Sequence, residues 1–188
     1  MKLFVAGSIR LDFVPSEVAT LVREHMANGA SFLVGDAPGT DKAFQQLLAR
    51  DNYPDVTVFS SSHAVRNNLG QWETHYVPSG LKSPGHASHA IKDRQMGAFA
   101  DSGLMVWDST STGTLANALD LVEQGKPCVI AIEGQFKSLN TYTSDEDFAD
   151  LEALVPEVFG EARKRLGQSR KRLTTMLEKS DGLLDIDW

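Results

Sequence analysis

Short apolar runs return at intervals between Leu3 and Ile132, and after most of them a turn rich in Gly, Ser, Thr or Asp opens a segment with helical spacing. The runs are "KLFVAGS", "SFLVG", "VTVFSS", "GLMVWD" and "PCVIAIE". The segments between them are "SEVATLVREHMANG", "TDKAFQQLLAR", "AIKDRQMGAFAD" and "GTLANALDLVEQG". Near-continuous apolar strands need cover on both faces, and the intervening amphipathic helices supply it. The pattern therefore predicts an α/β fold, a Rossmann-like doubly wound parallel sheet of about five strands. In the first helix Ser16 is a candidate N-cap and Gly29 a stop. Ligands of such sheets bind beyond the carboxyl ends of the strands, so the strand-to-helix turns are where a site belongs.

Four stretches carry suitable chemistry. In "AGSIR", Gly7 lets a ligand approach the backbone, Ser8 offers a hydroxyl and Arg10 a bidentate donor for phosphate or carboxylate. A plain turn with a solvated arginine accounts for it equally well. In "GDAPGTD", Gly35 and Gly39 permit unusual backbone angles and Pro38 stiffens the entry. Thr40 or Asp41 can cap the following helix, whose first amides attract anions. Asp36 and Asp41 would repel a phosphate nearby, which suits them better to a cap, a sugar hydroxyl or a ring N–H. In "WDSTSTGTLANA", Asp108 stands at a strand end, and the hydroxyls of Ser109 to Thr112 lead to Gly113-Thr114. This is a natural cradle for a phosphate, with Ser111, Gly113 and Thr114 as candidate contacts, although no Walker lysine follows; a decorated turn is the other reading. In "KDRQM", Lys92 and Arg94 can neutralise a ligand and Asp93 can accept from it; a salt-bridged helix surface explains them as well.

The remaining features narrow the classes. One cysteine, Cys128, excludes an intrachain disulfide and a multi-cysteine zinc site. The histidine spacings match no zinc pattern, so neither metal nor cofactor is expected. No apolar stretch has the length of a membrane span, and "MKLFVAGSIR" reads as a first strand rather than a signal peptide, which places the chain in the cytoplasm. A net charge of -7 disfavours nucleic acid as a partner. "RKRLGQSRKR", Arg163 to Arg172, is basic, but such runs are more often solvated helix faces. Residues 63–90 carry His63, Trp72, His75, Tyr76, His86 and His89 without a clear period: a lid over a site, or a surface excursion anchored by its aromatics. From about Asp145 the apolar residues fall at three- and four-residue steps, which predicts helices interrupted near Gly160 or Gly167. The chain thus divides into a nucleotide-binding unit, 1–140, and a helical extension, 141–188, whose apolar stripe covers the sheet unit or a second copy in a homo-oligomer. The acidic end, "SDGLLDIDW", is a candidate docking tail.

Taken in order, "AGSIR", "VGDAPGTDKAFQ", "KDRQMGAFAD", "GLMVWDSTSTGTLANAL" and "GKPCVIAI" resemble the SLOG superfamily, over roughly residues 1–133. That group includes LOG-type phosphoribohydrolases and the Rossmann-like domain of DNA-processing protein A; the third turn is also similar to nucleoside deoxyribosyltransferases. The resemblance implies a nucleotide or nucleotide-derived ligand. Gly35 to Asp41 and Gly113-Thr114 would meet its phosphate and ribose, flanked by Arg10 and the region of Lys92. One departure matters. LOG-type enzymes carry a catalytic glutamate in Gly-Thr-x-x-Glu, where this chain has Gly113-Thr114-Leu115-Ala116-Asn117. An amide is no general base, but Asn117 can still hydrogen-bond a ribose or a base. Cleavage of an N-glycosidic bond would need another carboxylate, with Asp36, Asp41, Asp93 and Asp108 as the unranked candidates. The leading expectation is a protein that binds a nucleotide-like small molecule and acts on its N-glycosidic bond. A non-catalytic sensor of the same ligand, favoured by Asn117, is the alternative, and a DNA-handling protein the third.

Overall fold

The computed structural model describes residues 1–78, 86–132, 135–139 and 146–181. One open sheet of seven strands runs through it: β1 (Lys2–Gly7), β2 (Ser31–Gly35), β3 (Val56–Ser60), β4 (Glu73–Tyr76), β5 (Ser102–Trp107), β6 (Cys128–Ile132) and β7 (Gln135–Leu139), in the order β4-β3-β2-β1-β5-β6-β7. β1 to β6 are parallel, and β7 pairs antiparallel with β6. The helices are α1 (Ser16–Ala27), α2 (Thr40–Arg50), α3 (His86–Phe99), α4 (Thr112–Glu123), α5 (Glu146–Leu154) and α6 (Pro156–Asp181).

Alternation along β1 shows why the sheet needs two coats. Leu3 and Val5 enter an apolar layer with Val18 and Val22 of α1 and Phe44 and Leu48 of α2. Phe4 and Ala6 enter the opposite layer, with Met96 of α3, Leu115 and Leu119 of α4, and Phe159, Ala162 and Leu166 of α6. β1, β2, β3, β5 and β6 are buried on both faces, as their continuous apolar runs require. The doubly wound parallel sheet is therefore present, with two strands beyond the expected five. β4 reads "ETHY", a half-exposed edge strand with no apolar run to announce it. β7 is the antiparallel edge. No helix among the described residues is long and apolar enough to cross a membrane.

Part of the C-terminal stripe covers its own chain: Leu151, Phe159, Ala162 and Leu166 are buried in the α3–α4 layer, while Leu154 is exposed. The helical interruption falls between α5 and α6, at Val155-Pro156, where proline ends the preceding helix. Gly160 and Gly167 lie inside α6. Asp120, on α4, locks the three helices together: it is 3% exposed and accepts from Arg94 of α3 at 2.8 Å and Arg170 of α6 at 3.3 Å. Arg170 also pairs with Glu123. Arg94 is thus committed to the helix packing.

Candidate functional site

β1 has β2 on one side and β5 on the other, and its chain neighbours run outward in opposite directions. A crevice forms at such a switch point. Here it is a cleft of about 470 Å³, in the range of small-molecule sites. Its lining includes Gly7, Arg10, Pro38, Asp41, Lys92, Asp93, Asp108, Ser111, Gly113, Thr114 and Asn117. It also includes His89, from the stretch expected to be a lid or a surface excursion, and Arg66 and Arg165, which no motif of the sequence singles out. Ser8, Gly35, Asp36, Gly39 and Thr40 do not line it.

Those five residues build the turns behind it. Ser8 is fully buried; its backbone N–H donates to the Val106 carbonyl at 2.9 Å, and its Oγ accepts from the Asp108 N–H at 3.0 Å. The β1 and β5 loops are thereby clamped side by side. Thr40 Oγ1 donates to the Ser8 and Leu11 carbonyls at 2.8 and 3.1 Å. That engagement takes Thr40 away from capping α2. The N-cap is Gly39, at φ 77°, where an added Cβ would run into the Ile9 backbone. Nor is Ser16 a cap: Pro15 holds that position and no side chain caps α1. Gly29, at φ 70°, ends α1 as expected.

Asp36 is 1% exposed and paired with Arg66, whose Nη2 donates to Oδ1 at 2.6 Å and Nε to Oδ2 at 3.2 Å. Ser60 Oγ donates to Oδ2 at 2.9 Å. Burial pulls its pKa upward, but the hydrogen bonds and charge of Arg66, aided by Lys92, outweigh that and hold it below the usual carboxylate range. Asp36 is an ionised structural anchor for the chain around Arg66.

The floor of the cleft is different. Gly35 leaves room for the Asp41 carboxyl and the Lys92 ammonium to come together against β2: a Cβ there would sit on both. Asp41 is buried, and burial pushes its pKa up to about 7, with Lys92 opposing and Asp93 and Asp36 adding to the rise. Lys92 is 2% exposed; burial lowers its pKa, but Asp93, with Oδ1 3.1 Å away, and Asp41 outweigh that and raise it. Two carboxyls thus share one ammonium in a place with little water, and one of them holds its proton close to neutrality.

The opposite rim is cationic and rich in amides. Ser111 caps α4, its Oγ accepting from the Thr114 N–H at 3.4 Å. Helix geometry leaves the first-turn amides of Thr112 and Gly113 without an intrahelical partner. Asp108 stabilises the approach by accepting from the Thr110 and Ser111 N–H groups at 3.0 and 2.7 Å. Burial works against its ionisation, but these amides prevail and lower its pKa. Arg10, with a side chain 74% exposed, lies 3.8 Å from Asp108. Arg165 comes across from α6 to lie over Gly113, where a Cβ would be 3.4 Å from the guanidinium carbon. Asn117 completes this wall, one turn into α4.

His89 lines the cleft from α3, its Nδ1 3.0 Å from Ser61 Oγ. Burial, then the charges of Arg66 and Lys92, lower its pKa, so the ring is neutral at neutral pH. The aromatics of the preceding stretch anchor it to the body. Trp72 Nε1 donates to the Tyr53 carbonyl at 2.8 Å, His63 stacks on Tyr76 at 3.8 Å, and His75 lies 4.7 Å from Phe59. The rest of the expected lid, 79–85, and the docking tail from 182 onward lie outside the described residues. Cys128 is buried, its thiol pushed up by burial and unreactive.

No family model matches the sequence, and no curated protein is similar to it. Among solved structures, DNA processing protein A from Helicobacter pylori, characterised for its single-stranded DNA binding mode, is similar at a TM-score of 0.50 and 20% identity. The match covers 69% of this chain and 64% of that one, less than two thirds of its length. At that identity the likeness is one of fold. It nonetheless corrects the expectation that an acidic balance sets nucleic acid aside, because a protein of this architecture binds single-stranded DNA. Net charge is a sum over the surface and does not describe its distribution: two arginines, Arg10 and Arg165, line the cleft of this acidic chain. Over 69% of its length this chain shares an α/β fold with DNA processing protein A.

Proposed function

We propose that the cleft binds the phosphate and sugar of a nucleotide, and that single-stranded nucleic acid presents it. The observation that carries this reading is the convergence of Arg10, Arg165 and the first turn of α4 at one rim, from three separate parts of the chain. A phosphate there would meet two guanidinium groups and the positive end of a helix. Asp93 and the protonated Asp41 on the floor suit the other side of the same unit, a sugar hydroxyl or a base N–H. The likeness to a single-stranded DNA-binding protein supports the polymer as the source. Asn117, in the wall where the resembled hydrolases need a glutamate, supports binding without turnover.

A second reading rests on Asp41. A carboxyl with a pKa of about 7 beside an ammonium is equipped for general acid–base work on an N-glycosidic bond. Competition of oligothymidylate and thymidine monophosphate for the cleft, with chromatography for free thymine, separates the two. Binding of the oligomer that weakens about tenfold in Arg10→Ala and in Arg165→Ala, with no thymine released, is expected. Release of thymine that stops in Asp41→Asn would favour the hydrolase. Absence of binding by either ligand would refute both.

A further inference from the structure

The basic run of α6 separates into two kinds of cation once its partners are known. Arg170 is taken up by Asp120 and Glu123, Lys164 by Glu161 at 3.4 Å, and Arg163 lies 5.1 Å from the Phe159 ring centroid. Arg165, Lys171 and Arg172 form no ion pair among the described residues, and of these Arg165 and Arg172 line a groove between α3 and α6. Its volume is about 300 Å³, and Ala87, Ala90, Gln168 and Ser169 complete it. Arg165, Gln168 and Arg172 stand at i, i+3 and i+7, so they form one stripe along the helix. The alanines keep the facing wall low. Ala87 belongs to the first turn of α3, the positive end of that helix.

Arg165 also lines the nucleotide cleft, so the two depressions meet at one guanidinium. Two turns of α6 separate Arg165 from Arg172, about 10 Å along the axis. That is a span for successive phosphates of one strand, and a single nucleotide held in the cleft would not reach it.

We infer that the α3–α6 groove is a second subsite, which takes the next nucleotides of the strand whose first unit occupies the cleft. Gln168 can hydrogen-bond a base or sugar, while Arg172 holds the outer phosphate. This rests on the reading of the cleft as a nucleotide site and adds to it a length requirement and a direction of travel.

Competition by thymidine mono-, di- and tetranucleotides against a labelled oligothymidylate tests it. Affinity of the unaltered chain should rise about tenfold or more from mono- to tetranucleotide, as further phosphates are engaged. Arg172→Ala should keep mononucleotide affinity and lose most of that rise, with the slope of log affinity on log salt falling by about 0.7. Ala90→Glu, which sets a carboxylate in the groove, should do the same, and Arg172→Lys should retain much of the rise. Equal affinity of the unaltered chain for mono- and tetranucleotide overturns the subsite and leaves the cleft standing. So does an undiminished rise in both Arg172→Ala and Ala90→Glu. Failure of the unaltered chain to bind any of the three overturns the subsite together with the cleft reading.

Discussion

Replacing Asp41 by Asn removes a carboxyl group that the folded chain keeps protonated over a range in which the unfolded chain ionises it. The pKa stands at about 7 in the fold against an ordinary 3.8. Below the lower value both states hold the proton, and the group costs nothing. Between the two values only the unfolded chain releases it, so the folded state loses about 1.4 kcal/mol per pH unit. Above pH 7 the loss attributable to this group reaches about 4 kcal/mol, an upper figure because Lys92 titrates with it. Asn is nearly isosteric and does not ionise, and Lys92 keeps Asp93 as its counter-charge. Urea unfolding of both proteins at intervals from about pH 4 to about pH 8 reads the effect. The stability difference should move in favour of Asp41→Asn through that window by several kcal/mol and level off above it. Other groups are common to both proteins and cancel. A constant offset between the two curves would refute the buried, protonated carboxyl. Ligand binding offers a parallel readout: a phosphate should bind less well as Asp41 ionises near pH 7, and this dependence should be weaker in the variant.

Asp120→Ala leaves Arg94 and Arg170 without their shared acceptor at the α3–α4–α6 junction, and thermal or urea unfolding should show a loss of about 3–5 kcal/mol. Arg66→Ala strands the buried charge of Asp36. Because the Arg66 side chain is 38% exposed, the loss should fall near the low end, about 3 kcal/mol, and it should shrink as acid protonates Asp36. Gly7→Ala drives a methyl into the Val106 carbonyl and the Thr40 side chain where the β1 and β5 loops are clamped. It should cost about 1–3 kcal/mol in unfolding and lower nucleotide affinity further than stability alone explains.

The strand-to-helix units were legible because each buried strand is a run of apolar residues closed by a turn. "KLFVAGS" and "GLMVWD" have no other use than the middle of a sheet. Turn composition pointed in the same way to the edge where the cleft lies, since glycines with hydroxyl or carboxyl neighbours follow β1, β2 and β5. The misses have a common cause. β4 is polar along its whole length, and its pairing with β3 is a tertiary fact. Asp36 looked like Asp41 in "GDAPGTD", but a guanidinium thirty residues on commits it to the scaffold. Arg165 hid among six cations until their partners could be told apart. The notion that Thr40 or Asp41 caps α2 failed because Gly39 does it with its backbone, which frees one side chain to brace β1 and the other to sit in the floor.

The cleft's cationic wall is made by residues far apart in the sequence: Arg10 follows β1, and Arg165 arrives with α6. During synthesis the sheet through β6 can assemble while α6 is still within the ribosome. Such a partial molecule would have strands, turns and the α4 amides, but half of the proposed phosphate clamp would be missing. Ligand affinity therefore becomes a late property, acquired when Asp120 captures Arg170 and draws Arg165 over Gly113. A ligand that needs Arg165 will select molecules in which α6 has docked and, by mass action, will slow the unlatching of the helix that completes its own site.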